Sequence, residues 1–191
     1  HTRYLADEEK HITSAPGFVL IAVIPDLRNK NAVDVLQPKV DLATLEEIQT
    51  YAEALAPIFL NNKIKVLNPI YERVQVDFKV KFKAGFDDTD YYKGVLDNDI
   101  TEFLSPWAFE ESLDITFGGS MHKSVVLNFI EELNYVDFVT DFQIKHFTLT
   151  DTAGTYKNEI ITETPRSILT SIAVDESTGF AHAIGDAIEK C

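Results

Sequence analysis

The sequence predicts an α+β fold, and three observations predict it. One segment alternates strictly: Val74, Val76, Phe78, Val80 and Phe82 are separated by Gln75, Asp77, Lys79 and Lys81, so one face of a strand is buried and the other is wet. Three other segments repeat apolar residues at helical spacing. In chain order they run strand, helix, strand, strand, helix, an insertion with its own helix, then strand. Without the insertion this is the split βαβ pattern βαββαβ, the ferredoxin-like arrangement: an antiparallel sheet with helices on one face.

Each element has a local cause. Phe18 to Ile24 is apolar on both faces and stops at Pro25, as expected for a central buried strand. A loop rich in Asn, Asp and Lys follows to Pro38. The first helix starts near Asp41 or Thr44, where Thr44-Leu-Glu-Glu47 has capping-box spacing. It buries Leu45, Ile48, Ala52 and Leu55 and ends at Pro57. Lys63 to Leu67 is a short strand, and the alternating strand runs on to Gly85.

Asp87, Asp88 and Asp90 open the second helix, where carboxylates meet free amides and the positive end of the dipole. Tyr92, Val95, Leu96, Ile100, Phe103 and Leu104 form its apolar stripe, and Pro106 ends it. A connector with a short strand at Leu113 to Phe117 leads to a third helix, Ser120 to Leu133, with Met121, Val125, Phe129, Ile130 and Leu133 inward. Val136 to Leu149 is a long strand with Phe138, Phe142 and Ile144 on one face. Beyond Thr150 the pattern weakens to one strand at Ser167 to Val174 and a short helix within Asp175 to Lys190. We therefore expect a domain over 1–150 and an extension over 151–191.

Composition narrows the function. The chain has 191 residues with 45% apolar side chains, 13 Phe and 7 Tyr, enough to argue against disorder. No apolar run nears the roughly 20 residues of a membrane span, and the polar first residues do not read as a signal peptide. The chain begins at His1 rather than Met, so we expect a fragment or processed product. Its single cysteine, Cys191, allows neither an intrachain disulfide nor a Cys-based metal site.

Net charge is −14, unevenly placed: residues 1–83 carry 11 basic and 11 acidic groups, and residues 84–191 carry 6 and 20. Such a second half repels a polyanion, which argues against a nucleic-acid partner and suits docking on a basic protein surface.

Chemistry-bearing motifs are sparse. Phe117-Gly-Gly-Ser120 lacks the phosphate-loop lysine spacing and the dinucleotide fingerprint, and reads as a tight turn. His1, His11, His122, His146 and His182 form no metal-binding spacing. His146 lies on the Phe142/Ile144 face of its strand, as a histidine with a hydrogen-bond partner. Asp87-Asp-Thr-Asp90 lacks the Gly and Glu of a calcium loop. No catalytic residue, cofactor site or metal site is expected. Lys79, Lys81 and Lys83 line the wet face of the alternating strand. Asp97, Asp99, Glu102 and Trp107 lie in a stretch, Asp87 to Asp114, holding nine acids and one lysine. These seven residues are the candidate interface.

Several segments taken together resemble a known family. Asn68-Pro-Ile-Tyr-Glu-Arg-Val-Gln-Val-Asp-Phe-Lys-Val80 is similar to the Pro-x-Tyr-x-x-Val-x-Val strand of baseplate J-like proteins. So are the helix Asp90 to Leu104 with Ser105-Pro-Trp107, the turn Phe117-Gly-Gly-Ser-Met-His-Lys-Ser124, and Glu131-Glu-Leu-Asn-Tyr-Val-Asp-Phe-Val139. Ala15-Pro-Gly-Phe-Val-Leu-Ile-Ala-Val-Ile-Pro25 and Pro165-Arg-Ser-Ile-Leu-Thr170 resemble segments of the larger homologues in extracellular contractile injection particles. The resemblance implies the C-terminal part of a baseplate wedge protein that joins wedge to wedge, or to neighbouring tail components, in a hetero-oligomeric ring. It implies no catalytic residues. It places the protein in the bacterial cytoplasm during assembly and then in an injection particle. The alternative is a small ligand-binding or catalytic domain on a ferredoxin-like scaffold.

Overall fold

A computed structural model describes residues 3–5, 10–12, 17–26, 34–60, 62–110 and 115–187. The chain forms two compact units, residues 1–70 and 71–191.

In the first unit β1 (Arg3–Leu5) pairs antiparallel with β2 (Lys10–Ile12). β3 (Val19–Ala22) pairs parallel with β4 (Ile64–Leu67), from Val19↔Ile64 to Ala22↔Leu67. Parallel neighbours need a crossover, and α1 (Leu42–Leu55) supplies it and packs on β4. The Asp41 carboxylate caps α1 by accepting the Thr44 N–H. Leu45, Ile64 and Val66 form the core, with Ile21, Val40, Ile48 and Ala52 half-buried around them. Asn68 ties the crossover down: its Oδ1 accepts the Val40 N–H and its Nδ2 donates to the Val40 carbonyl, both at 2.8 Å.

The second unit is built on β5 (Ile70–Phe82) and β7 (Val136–Phe147), paired antiparallel. Its sheet runs β10 (Ser167–Ser171), β5, β7, β8 (Thr155–Lys157), and β11 (Ala183–Asp186) joins β5 in parallel. Val74, Val76, Phe78 and Val80 turn inward against Leu96, Ile100 and Leu104 of α2 (Thr89–Leu104) and Val126 and Ile130 of α3 (Lys123–Glu132). β6 (Ser120–His122) pairs with β9 (Glu159–Ile161).

The fold is α+β, as expected, but the strand pairing does not follow the ferredoxin-like expectation. That topology interleaves the first strand with the third and fourth. Here the first and second expected strands pair with each other in one unit, and the third and fourth pair in the other. Apolar patterning shows which faces seek cover, not which strands meet.

Four local expectations also shift. The Phe18–Ile24 run is not a central strand: among the described residues β3 has β4 as its one strand partner, and Val19 is exposed. The third helix starts at Lys123, and its buried stripe is Val126 and Ile130, leaving Val125 52% exposed. Phe138 parts from Phe142 and Ile144 because the register slips at Asp141, whose φ is +55°; an extra residue reverses which face its neighbours point to. The segment after 150 supplies strands β8, β9, β10 and β11, and β11 occupies residues 183–186, where a helix was expected. The short strand expected at 113–117 falls partly outside the described residues, as does Cys191, and 115–117 is not strand.

Candidate functional site

Three features of the second unit draw on the sequence's chemistry-bearing residues: two buried polar clusters, and one pair of oppositely charged faces.

The first cluster is absent from the sequence expectations except for His146. Glu72 has the same parity along β5 as Val74 and Val76, so its carboxylate points into the core. It meets His146 there at 2.7 Å, and both are fully buried. The Lys157 ammonium donates to His146 Nδ1 at 3.1 Å, which leaves the imidazole proton on Nε2, donated to Glu72. The other Glu72 oxygen accepts the Glu163 N–H at 2.9 Å. Burial pushes the Glu72 carboxyl up, but hydrogen bonds from His146, Ser167 and the Glu163 amide outweigh it and hold the group below its ordinary range. Every oxygen is engaged in joining β5 to β7 and to the start of the β10 approach.

The second cluster closes a gap at the edge of β5. Strand β5 is too long for one neighbour on that side. The Ile172 N–H, just past β10, donates to the Val74 carbonyl, and β11 takes over at Asp77. Val76 lies at the junction, and its N–H is accepted by His182 Nδ1 at 3.2 Å. The Nε2–H of His182 therefore faces Ser171 Oγ, 3.4 Å away. Asp97, from α2, accepts the Ala181 and His182 backbone N–H groups at 2.9 and 2.8 Å. His182 and Asp97 are each only 4% exposed. Burial lowers His182 to about 3, so it stays neutral. Burial also raises Asp97, against the pull of its two amide donors.

Ser171, His182 and Asp97 share the residue types of a hydrolytic triad, but they are wired the other way. A nucleophilic serine needs Nε2 as a proton acceptor and a carboxylate on the Nδ1–H. Here Nε2 carries the proton, Nδ1 is filled by a backbone amide, and the carboxylate binds the main chain. The cluster is a strand-edge seal. Among the described residues no group of three His, Cys, Asp or Glu side chains could hold a metal ion. An open cleft of about 540 Å³ lies at the sheet end, between Lys81, Lys83, Phe86, Asp137 and Asp186.

The third feature is the charge on the two sides of the slab. On the outer side of the sheet, Arg73 and Lys145 lie over the Phe147 ring at 5.4 and 5.1 Å, Lys145 also lies over Tyr156 at 5.6 Å, and Lys81 lies over Phe138 at 5.9 Å. Lys79 pairs with Asp141 at 2.8 Å, and the Tyr156 hydroxyl donates to Asp77. The helical side, α2 with its cap and α3, exposes Asp88, Asp90, Glu102, Glu131 and Glu132; Asp87, also exposed, lies in the cleft with Lys81 and Lys83.

The candidate interface residues therefore separate. Lys79, Lys81 and Lys83 are on the outer sheet side or its end, where Lys83 donates to the Asn134 carbonyl. Glu102 is exposed on α2. Asp99 is half-buried and accepts the Tyr135 hydroxyl, which raises the Tyr135 pKa alongside the larger effect of burial. Asp97 is inside, holding backbone, and is not a surface carboxylate. Trp107 is buried as well, and its indole N–H has no hydrogen-bond partner among the described residues.

A family model for "Baseplate protein PVC11-like" matches residues 4–167. The chain belongs to this family of baseplate proteins. The PVC11-like chain matches no curated protein. It is similar in fold to a chain in the cryo-EM structure of the anti-feeding prophage (AFP) baseplate, 6-fold symmetrised, with a TM-score of 0.60 and 17% identity. That likeness covers 84% of this chain and 30% of the other, so the PVC11-like chain spans under a third of the length of the chain it resembles. The reading of the sequence as a baseplate protein agrees with the family match; the family description names the PVC11 type, not the J-like one. No described helix is long and apolar enough to cross a membrane.

Proposed function

We propose that this baseplate protein is a non-catalytic wedge component of a contractile injection system. It joins neighbouring wedge subunits and adjacent tail components into a hetero-oligomeric ring, is assembled in the bacterial cytoplasm, and is carried in the finished particle. The family match over residues 4–167 carries the reading. Two physical observations support it. The titratable groups buried in the second unit hold strand edges and loops together. The acidic excess of residues 84–191 suits protein contacts and opposes nucleic acid.

The test is particle composition. A strain with the gene replaced by an epitope-tagged copy should yield intact particles carrying the tag at the baseplate end, seen by immunogold electron microscopy. A deletion should yield tubes and sheaths without baseplates. Intact, contractile particles from the deletion strain would reject the wedge role.

A further inference from the structure

We propose that the basic outer sheet face of the second unit docks on the acidic α2–α3 face of a second copy of this chain, so that copies pack head to tail. The inference rests on the baseplate reading and names the contact through which it acts.

The argument starts from the alternation of β5. Inward residues bind the helices, so outward residues occupy the opposite side of the same slab. There Arg73, Lys79, Lys81 and Lys145 stand against Asp77 and Asp141, and with Lys83 and the exposed Asp137 at the sheet end five cations face three acids, a net charge of +2 in a chain whose total is −14. Two of the carboxylates are already engaged, Asp77 by Tyr156 and Asp141 by Lys79. Three of the five cations rest on aromatic rings. A cation held over a ring has already given up part of its rotamer freedom, so docking costs it less entropy than a free lysine. The helical side exposes Asp88, Asp90, Glu102, Glu131 and Glu132. The same side also carries Lys93, which pairs with Asp186 at 2.8 Å, and Lys123, which lies over the Phe142 ring; the exposed acids outnumber these two cations.

Opposite charge on opposite faces of one body decides the mode of association. Like faces repel, which disfavours a two-fold contact. Unlike faces attract, which gives a heterologous contact that can close into a ring.

The test uses two charge-swapped chains. Lys79→Glu with Lys81→Glu makes both faces acidic; Glu102→Lys with Glu131→Lys turns the helical face toward basic, and lysine near helix C-terminal ends does not oppose the dipole. Each pair is introduced into the gene at its own locus, alone or co-expressed with the other, and baseplate-bearing particles are counted by electron microscopy. Each variant alone should cut the count at least tenfold, and co-expression should restore it, because the two chains are complementary in both directions. Wild-type counts from either variant alone, or no rescue on co-expression, would overturn the head-to-tail contact while leaving the baseplate reading intact. Absence of the wild-type chain from particles would remove the baseplate reading itself. Lys79→Gln with Lys81→Gln, which sets no new charge against Asp141, guards against misfolding. It should lower the count in the same direction by a smaller factor, and no change would also overturn the proposal.

Discussion

The two units solve the same problem with unequal means. The second buries a continuous cluster running from β5 and β7 to α2 and α3, with Phe78, Leu96, Ile100, Ile130 and Ile144 sealed from solvent. Among the described residues the first buries Leu45, Ile64 and Val66 between one helix and a two-stranded sheet. It leaves Tyr51, Leu55, Ile58 and Phe59 mostly exposed, Ile58 at 88%. Apolar residues are plentiful in both. Among the described residues, what differs is the number of layers packed on the core, since one helix on a two-stranded sheet has too little surface to enclose all of them. The second unit has core to spare and admits buried charge; the first has apolar surface to spare.

The sharpest way to break this contrast is to remove a buried charge that the larger core tolerates. Asp97→Ala leaves the Ala181 and His182 amides without their acceptor, at a position only 4% exposed. We expect a loss of about 3 kcal/mol in unfolding free energy by urea titration. A loss under about 1 kcal/mol would mean that the carboxylate is not needed to seat β11.

A smaller effect should come from acid. The folded pKa of His182, about 3, lies below the ordinary 6.5, so the unfolded chain binds more protons between those values. The histidine's contribution is complete above about pH 6.5 and declines as the pH falls toward 3, by about 1 kcal/mol per pH unit. Asp97 titrates in the opposite sense, its folded pKa being raised, so the histidine is isolated by comparison with a variant. His182→Asn keeps an acceptor for the Val76 amide but does not titrate, and it should lose less stability than wild type between pH 6.5 and 5. Parallel curves for the two proteins would remove His182 from the acid response.

How far the sequence could be read follows the same division. Local order was legible where pattern and caps agree: the alternation of β5, the Asp88 cap, and the stops at Pro57 and Pro106 all correspond to element ends; of the two starts offered for the first helix Asp41 is the cap, and Thr44, read as a capping box with Glu47, lies inside the helix and donates its N–H to Asp41. Pairing was not. Nothing in Phe18–Ile24 states that it meets Ile64–Leu67 in parallel and not the long strand. The weak pattern after residue 150 hid β8 to β11 because they are three to five residues long, too short for a period to show. Of the interface residues, the lysines were placed by strand parity. Asp97 was not, because an acid in an acidic helix carries no mark of the backbone amides it meets. Glu72 did carry one: it is a charge on the inward parity of β5, and that clue calls for a buried partner.

The smallest expected effect tests the first unit. Tyr51 and Leu55 lie one turn apart at the end of α1, and Ile58 and Phe59 lie on the short 3-10 turn after it; their exposure means that folding removes little of their surface from water. Polar substitution should then change stability by no more than about 0.5 kcal/mol. Leu55→Ser with Phe59→Ser, followed by calorimetry, measures this directly. Serine lowers helix propensity slightly at position 55, which sets the sign of the small residual toward destabilisation. A loss well above 1 kcal/mol would mean that these side chains are covered in the folded chain, and the contrast between a sealed second unit and an open first one would no longer hold.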